Sequence, residues 1–144
     1  MVNKWDLIEK ETNTARDFEK DLKERIAPFT DVPIVFTSVV EKQRIFKAME
    51  IALEVAENRV RKVKTSELND VLLPEIERTA PPAHRGRFIK IKYITQLPLH
   101  YPAFAFFCNH PKYVREDYKR FLENKLRENF NFTGVPIEIY MRQK

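Results

Sequence analysis

The stretch RFIKIKYITQLPLHYPAFAFFCN, residues 87–109, decides the fold. It holds two strand-like runs, Phe88 to Gln96 and Ala103 to Cys108. In the first, Ile89, Ile91 and Tyr93 point one way and Lys90 and Lys92 the other, the period-two alternation of a strand with one wet, basic face. In the second, Phe104, Phe106 and Cys108 share a side. The connection between them contains Pro98 and Pro102, which have no N–H to give to a ladder, so it is loop and the pair is predicted to be a hairpin. Pro136 to Arg142 alternates Ile137, Ile139 and Met141 against Glu138, Tyr140 and Arg142, which suits a third strand added to the hairpin.

Helical periodicity surrounds these runs. Thr65-Ser66-Glu67 reads as an N-cap with an acid in the first turn, followed by Leu68, Val71, Leu72 and Ile76 on one side. Pro74 inside that pattern predicts a kink or break. Asn109-His110-Pro111 is expected to open a further helix, buried through Val114, Tyr118, Phe121, Leu122 and Leu126 and wet through Arg115, Lys119, Glu123 and Arg127. Asn131 to Gly134 ends it. Residues 65–144 therefore form an α+β unit of order α-β-β-α-β with a three-stranded sheet.

Residues 1–64 read differently. A helix carries Ala15, Phe18, Leu22 and Ile26, with Asn13 or Thr14 as its N-cap and Pro28 at its end. Val32 to Thr37 is apolar and β-branched without alternation, as a strand buried on both faces is. A long helix from about Gln43 to Val63 has Ile45, Met49, Ala52, Leu53, Ala56, Val60 and Val63 on one side. This α-β-α piece is α/β in character and lacks the neighbouring strands such a layer needs.

At 144 residues the chain is long enough for a core, and no apolar run reaches the length of a membrane span. Asp6 and Glu9 precede any apolar stretch, which is unlike a signal peptide, and the single cysteine rules out an internal disulfide framework. A cytoplasmic location fits. Residues 65–144 carry 13 Lys and Arg against 9 Asp and Glu, whereas residues 1–64 are nearly balanced. The excess gathers between Arg78 and Arg120, the signature of a surface that attracts polyanions.

Three groups of residues bear on chemistry. Asn3, Lys4 and Asp6 form an Asn-Lys-x-Asp motif, followed by Ser38 and Val39 just after the buried strand. A carboxylate at Asp6 can accept from both the ring N–H and the exocyclic amine of guanine, a pair adenine does not offer. A backbone N–H at Ser38 or Val39 can meet the guanine carbonyl. A phosphate-binding Gly-x-x-x-x-Gly-Lys loop is absent, since the only glycines are Gly86 and Gly134, so this polypeptide is expected neither to hydrolyse GTP nor to bind it tightly. Arg85, Arg87, Lys90, Lys92, Lys112, Arg115 and Lys119 are the second group, with phosphate-backbone contact as their functional reading and plain solvation or docking on an acidic protein face as the alternatives. The third is Cys108 with His84, His100 and His110. Cys108 is expected to be a buried structural thiol, the histidines show no ligand spacing, and neither a metal nor a catalytic triad is assigned.

These residues carry a resemblance. Asn3-Lys4-Trp5-Asp6, Pro33-Ile34-Val35-Phe36-Thr37-Ser38 and Gln43-Arg44-Ile45 are similar to the guanine-specificity end of the second G domain in the double-GTPase ribosome-assembly family known as Der or EngA. Thr65-Ser66-Glu67-Leu68-Asn69, Arg85-Gly86-Arg87, Lys92-Tyr93-Ile94-Thr95-Gln96, Pro102, Phe104, Asn109-His110-Pro111 and Phe121 to Arg127 resemble that family's C-terminal KH-like domain. Val39 departs from the alanine usual there, and Glu41-Lys42 stands where Thr-Gly is common.

The resemblance implies a C-terminal piece: residues 1–64 from the end of the second, Ras-like G domain and residues 65–144 a KH-like domain. It implies GTP or GDP with Mg2+ in the longer protein and none in this chain. Its implied partners are rRNA of the large ribosomal subunit and the G domains of the same protein. RNA contact would use the charged surface, because the family's KH-like domain lacks the Gly-x-x-Gly clamp. The rival reading is a protein-interaction module that docks on G domains without touching RNA. Val32 to Thr37, deprived of sheet neighbours, further predicts a homodimer or swapped assembly of the shortened form.

Overall fold

The computed structural model describes every residue, Met1–Lys144. Four helices, α1 (Thr14–Arg25), α2 (Ile45–Val60), α3 (Thr65–Arg78) and α4 (Glu116–Asn129), accompany three strands, β1 (Ile91–Gln96), β2 (Ala103–Cys108) and β3 (Glu138–Gln143). Two compact units result, one of Met1–Asn58 with Thr133–Val135, the other of Arg59–Phe132 with Pro136–Lys144.

The second unit has the α-β-β-α-β order. Its sheet runs β1-β2-β3, with β1 antiparallel and β3 parallel to the central β2. Phe104, Phe106 and Cys108 lie fully buried in one cluster with Leu68, Leu72 and Ile76 of α3 and Tyr118, Leu122 and Leu126 of α4. Phe132 closes the cluster, its ring edge-on to Phe104 at 5.6 Å. Ala103 and Ala105, on the opposite side of β2, are equally inaccessible. A strand buried on both faces needs every backbone group paired, and two neighbouring strands supply the partners.

The outer edge of β1 is satisfied by a side chain. Asn69 of α3 accepts the Ile94 N–H at 2.9 Å and donates to the Ile94 carbonyl at 2.8 Å, as a neighbouring strand would. Gln96 does the same for the segment entering α3, donating to the Arg61 carbonyl and accepting the Val63 N–H, both at 2.8 Å.

Several details differ from the expectation. The first strand begins at Ile91 rather than Phe88, because the Asn109 side chain takes the Phe88 carbonyl and the Lys90 N–H. A β-bulge between Ile91 and Tyr93 breaks the alternation: Ile91 and Ile94 face the core, and Tyr93 turns outward beside Lys92. Pro74 does not break α3, which runs through it from Thr65 to Arg78, since the burial of Leu68, Leu72 and Ile76 on either side offsets the lost backbone bond. Pro111 opens only a single 3-10 turn, Pro111–Tyr113, and α4 starts afresh at Glu116 after an extended Val114. Arg127 is drawn inward: its guanidinium donates to Glu123 at 3.0 Å and to the Phe132 carbonyl at 3.0 Å.

In the first unit, Val32 to Thr37 forms no regular strand. Phe36 is bridged in parallel to Val2, with Val2 N–H donating to Val35 at 2.8 Å and Thr37 N–H to Val2 at 2.7 Å. Only its last residues, Val35 to Thr37, are buried. The predicted stripe of α1 is not buried either: Leu22 is partly covered, Ala15 and Ile26 are exposed, and Phe18 leans edge-on against Trp5 at 5.6 Å. On α2 the covered side is Ala48, Ile51, Val55 and Asn58, whereas Met49, Ala52, Leu53, Ala56 and Val60 of the predicted buried stripe, together with Phe46, are exposed. The helix is amphipathic as read, but no element of this chain lies on its more apolar side. The segment Thr133–Val135 completes this unit: Asn58 donates to the Thr133 carbonyl at 3.0 Å and Gly134 N–H to Asp31 at 2.8 Å. Gly134 has φ +79, and a Cβ there would meet Val55 at 2.5 Å, so the position accepts glycine alone.

Two outcomes follow from the second unit. Asn69→Ala strips partners from the buried Ile94 N–H and carbonyl, and urea unfolding is expected to show a loss of about 2–4 kcal/mol. Tyr118 donates its hydroxyl to the Thr79 carbonyl at 2.7 Å, and burial pushes its phenol up to about 12. The unfolded phenol titrates near 10, so the stability Tyr118 contributes is complete below pH 10 and is lost as pH rises from about 10 through 12. Thermal melts of wild type and Tyr118→Phe across that interval should converge as the pH climbs.

Candidate functional site

In the first unit the chain enters with Lys4 at φ +61, which turns Trp5 into the interior against Phe36, the ring centroids 4.3 Å apart. A 3-10 turn, Trp5–Leu7, then aims Asp6 at the segment after Thr37. Ser38 Oγ donates to Asp6 Oδ1 at 2.6 Å and accepts the Glu41 N–H at 3.2 Å. Two predicted residues that lie 32 positions apart are thus brought into direct contact. Asn3 and Lys4 are exposed beside them, and Val39 is exposed at the tip of the following loop.

The Ser38 N–H is turned away from a ligand role, since it donates back to the Gln43 carbonyl at 3.3 Å. The Val39 amide is the better candidate for a base carbonyl. One Asp6 oxygen accepts from the serine hydroxyl, which steadies the carboxylate and leaves it lone pairs for further N–H donors. Arg44 Nη1 braces the loop by donating to the Phe36 carbonyl at 3.3 Å. Lys42 sits at φ +54 in this loop, a left-handed conformation in which a side chain is strained.

In the second unit, Arg85 (φ +50) and Gly86 (φ +75) give the two consecutive left-handed residues of a tight hairpin turn, closed by reciprocal bonds between His84 and Arg87 at 3.0 and 3.1 Å. The imidazole of His84 stacks on Tyr113 at 4.7 Å, and the Arg87 guanidinium lies over the same ring at 6.0 Å. These contacts bring the turn beside the Pro111–Tyr113 segment that carries Lys112. The Lys90 backbone is tied just ahead of that segment, its N–H held by Asn109 at 2.8 Å.

The seven predicted cations divide. Arg85, Arg87, Lys90, Lys92 and Lys112 are exposed and have no carboxylate in salt-bridge range. Arg115 and Lys119 are paired with Asp117 at 3.3 Å and Glu116 at 2.6 Å, so their charge is partly spent within the chain. Sequence reasoning missed the ring cluster of His84, Tyr113 and His110 and the exposed Phe88; only the short Arg85-Gly86-Arg87 turn signal hinted at a fixed structure there. Cys108 is fully buried as expected, and burial pushes its thiol up, away from the reactive thiolate.

The family model for the KH-domain-like region at the C-terminus of EngA bacterial GTPase enzymes matches residues 62–142. The chain belongs to this EngA family. Relatives named GTPase Der match along the whole chain: 60% identity in Christiangramia forsetii, 52% in Flavobacterium johnsoniae and, over 146 aligned residues, 54% in Bacteroides thetaiotaomicron. In each case the match covers 100% of this chain and 33% of the relative, so the chain spans about a third of the length of the EngA relatives it matches.

The loop after Ser38 supplies a test of the strain at Lys42. Lys42→Gly relieves the left-handed side chain while loosening the unfolded chain, and differential scanning calorimetry is expected to show a stability unchanged or raised by up to about 1 kcal/mol.

Proposed function

We propose that this chain serves as the C-terminal portion of a GTP-binding protein in large-subunit ribosome biogenesis, working in the cytoplasm. Residues 65–144 act as the KH-like domain and contact rRNA; residues 1–64 close the second G domain. The observation that carries the reading is the cluster of exposed cations around the His84–Tyr113 stack, free of carboxylate partners, on a unit that belongs to the EngA KH-like family. A phosphate backbone is the polyanion such a surface suits, since it takes up many separate positive charges without requiring a sequence.

In the longer protein, Asn3, Lys4, Asp6, Ser38 and Val39 hold the guanine base of GTP or GDP, and the phosphates and Mg2+ fall to residues outside this chain. The base end alone offers few contacts, so this polypeptide is not a catalyst by itself. A second reading, an interaction module that docks on G domains without RNA, draws support from the uncovered apolar side of α2, where Phe46 is 82% and Leu53 66% exposed. Surfaces of that kind mark protein contacts.

One titration series separates them. The chain is mixed with large-subunit rRNA fragments over a range of salt, and in parallel with the isolated first G domain in its GTP and GDP forms. Phosphate contact predicts a log-log salt slope of about −3 or steeper, given roughly −0.7 per neutralised phosphate on single strands and −0.9 on duplex. A flat slope together with G-domain binding of comparable strength overturns the RNA reading in favour of the docking module.

A further inference from the structure

Phe88 is anomalous. It is 82% exposed although its own backbone is among the best anchored of the turn region. Asn109 Nδ2 donates to the Phe88 carbonyl at 2.9 Å, Asn109 Oδ1 accepts the Lys90 N–H at 2.8 Å, and the neighbouring turn is closed by the paired His84 and Arg87 bonds. An aromatic ring held out to solvent by a fixed backbone is set for a partner rather than left over from folding. The core does not use it.

We propose that Phe88 is a stacking platform for an unpaired RNA base, with Arg85, Arg87 and Lys90 taking the phosphates on either side. The proposal rests on the RNA reading above and names the kind of nucleotide this surface receives. Two observations select a base over an apolar protein surface. Beside the buried Ile89, the exposed side chains along the chain here are the cations Arg87 and Lys90, neither with a carboxylate partner, which favours an occupant that brings negative charge together with a flat apolar face. A nucleotide carries both in one residue, and every base has a π-face to offer. The His84 and Tyr113 rings are engaged with each other, and the Arg87 guanidinium lies over Tyr113, whereas Phe88 makes no ring contact and presents an open face. A duplex would gain nothing from it, because its bases are stacked on one another.

The test uses the full 144-residue chain and its Phe88→Ala, Phe88→Trp and Phe88→Leu variants. Each is titrated with a single-stranded oligoribonucleotide carrying one 2-aminopurine among uridines, and with a blunt RNA duplex of the same length. Circular dichroism confirms the fold; a ring this exposed is peripheral to the core. Phe88→Ala is expected to weaken single-strand binding by about five-fold or more and to abolish the quenching of 2-aminopurine. Phe88→Trp should retain both, Phe88→Leu should behave like alanine, and duplex affinity should stay within about two-fold with its salt slope intact. Wild-type affinity and quenching in Phe88→Ala or Phe88→Leu overturn the stacking role while leaving phosphate contact standing. An equal loss on duplex and single strand overturns it too. A wild-type chain that binds neither RNA removes this proposal and the RNA reading together.

Discussion

Every other part of the second unit is placed by the complete enclosure of β2. Ala103 to Cys108 is paired along both edges and inaccessible on both faces apart from the half-exposed Phe107, so the helices and flanking strands have one arrangement that leaves no backbone group or ring unmatched. The alanines at 103 and 105 are small enough for the outer face to close, and the phenylalanines at 104 and 106 fill the core that residues of α3 and α4 share. The cost of such a strand is that the sheet has an outer edge at β1, where Ile94 is also fully buried. Asn69 resolves this from the helix side. The amide of one side chain stands in for a strand that the unit does not possess.

Much of this was legible in the sequence, and the failures share a cause. Proline positions and apolar periodicity located all three strands of the sheet and all four helices, because those signals act over a few residues. The expected caps were less reliable, since Asn13 makes no side-chain capping bond and the N-cap of α3 is Lys64 instead of Thr65 or Ser66. What escaped were decisions taken by residues distant in the chain. Period-two reading had no means of seeing the bulge that turns Tyr93 outward. It also took Phe88 into the strand, since nothing local announces that Asn109 will occupy the ladder positions there. On α2 the pattern gave an amphipathic helix correctly and then assigned burial to the more apolar side. Burial depends on which surface a neighbour reaches, and here the neighbours reach Ala48, Ile51 and Val55. For the candidate sites, residue types pointed to Asp6 and Ser38, but only the folded backbone joins them at 2.6 Å and turns the Ser38 amide to Gln43.

The two sites also handle charge in contrasting ways. At the Asp6–Ser38 corner a single carboxylate is steadied by a neutral hydroxyl, which fixes its direction. At the KH-like surface the turn at Arg85 and Gly86 and the ring of Tyr113 hold cations apart from acids, while one helical turn away Arg115 and Lys119 are matched with Asp117 and Glu116. Like charges left unmatched repel one another, so a protein that keeps them together gives up some stability for the ability to attract an opposite field.

The bulge at Lys92 carries one last implication. Ile91 faces Cys108 and Tyr93 faces Phe107, so Lys92 is the one residue of β1 with no counterpart across the ladder. A strand shorter by that lysine would keep the same cross-strand partners and the same inward side chains. Lys92 is therefore supernumerary to the sheet's registration, an ammonium group spliced into the weave whose only audience is the solvent side.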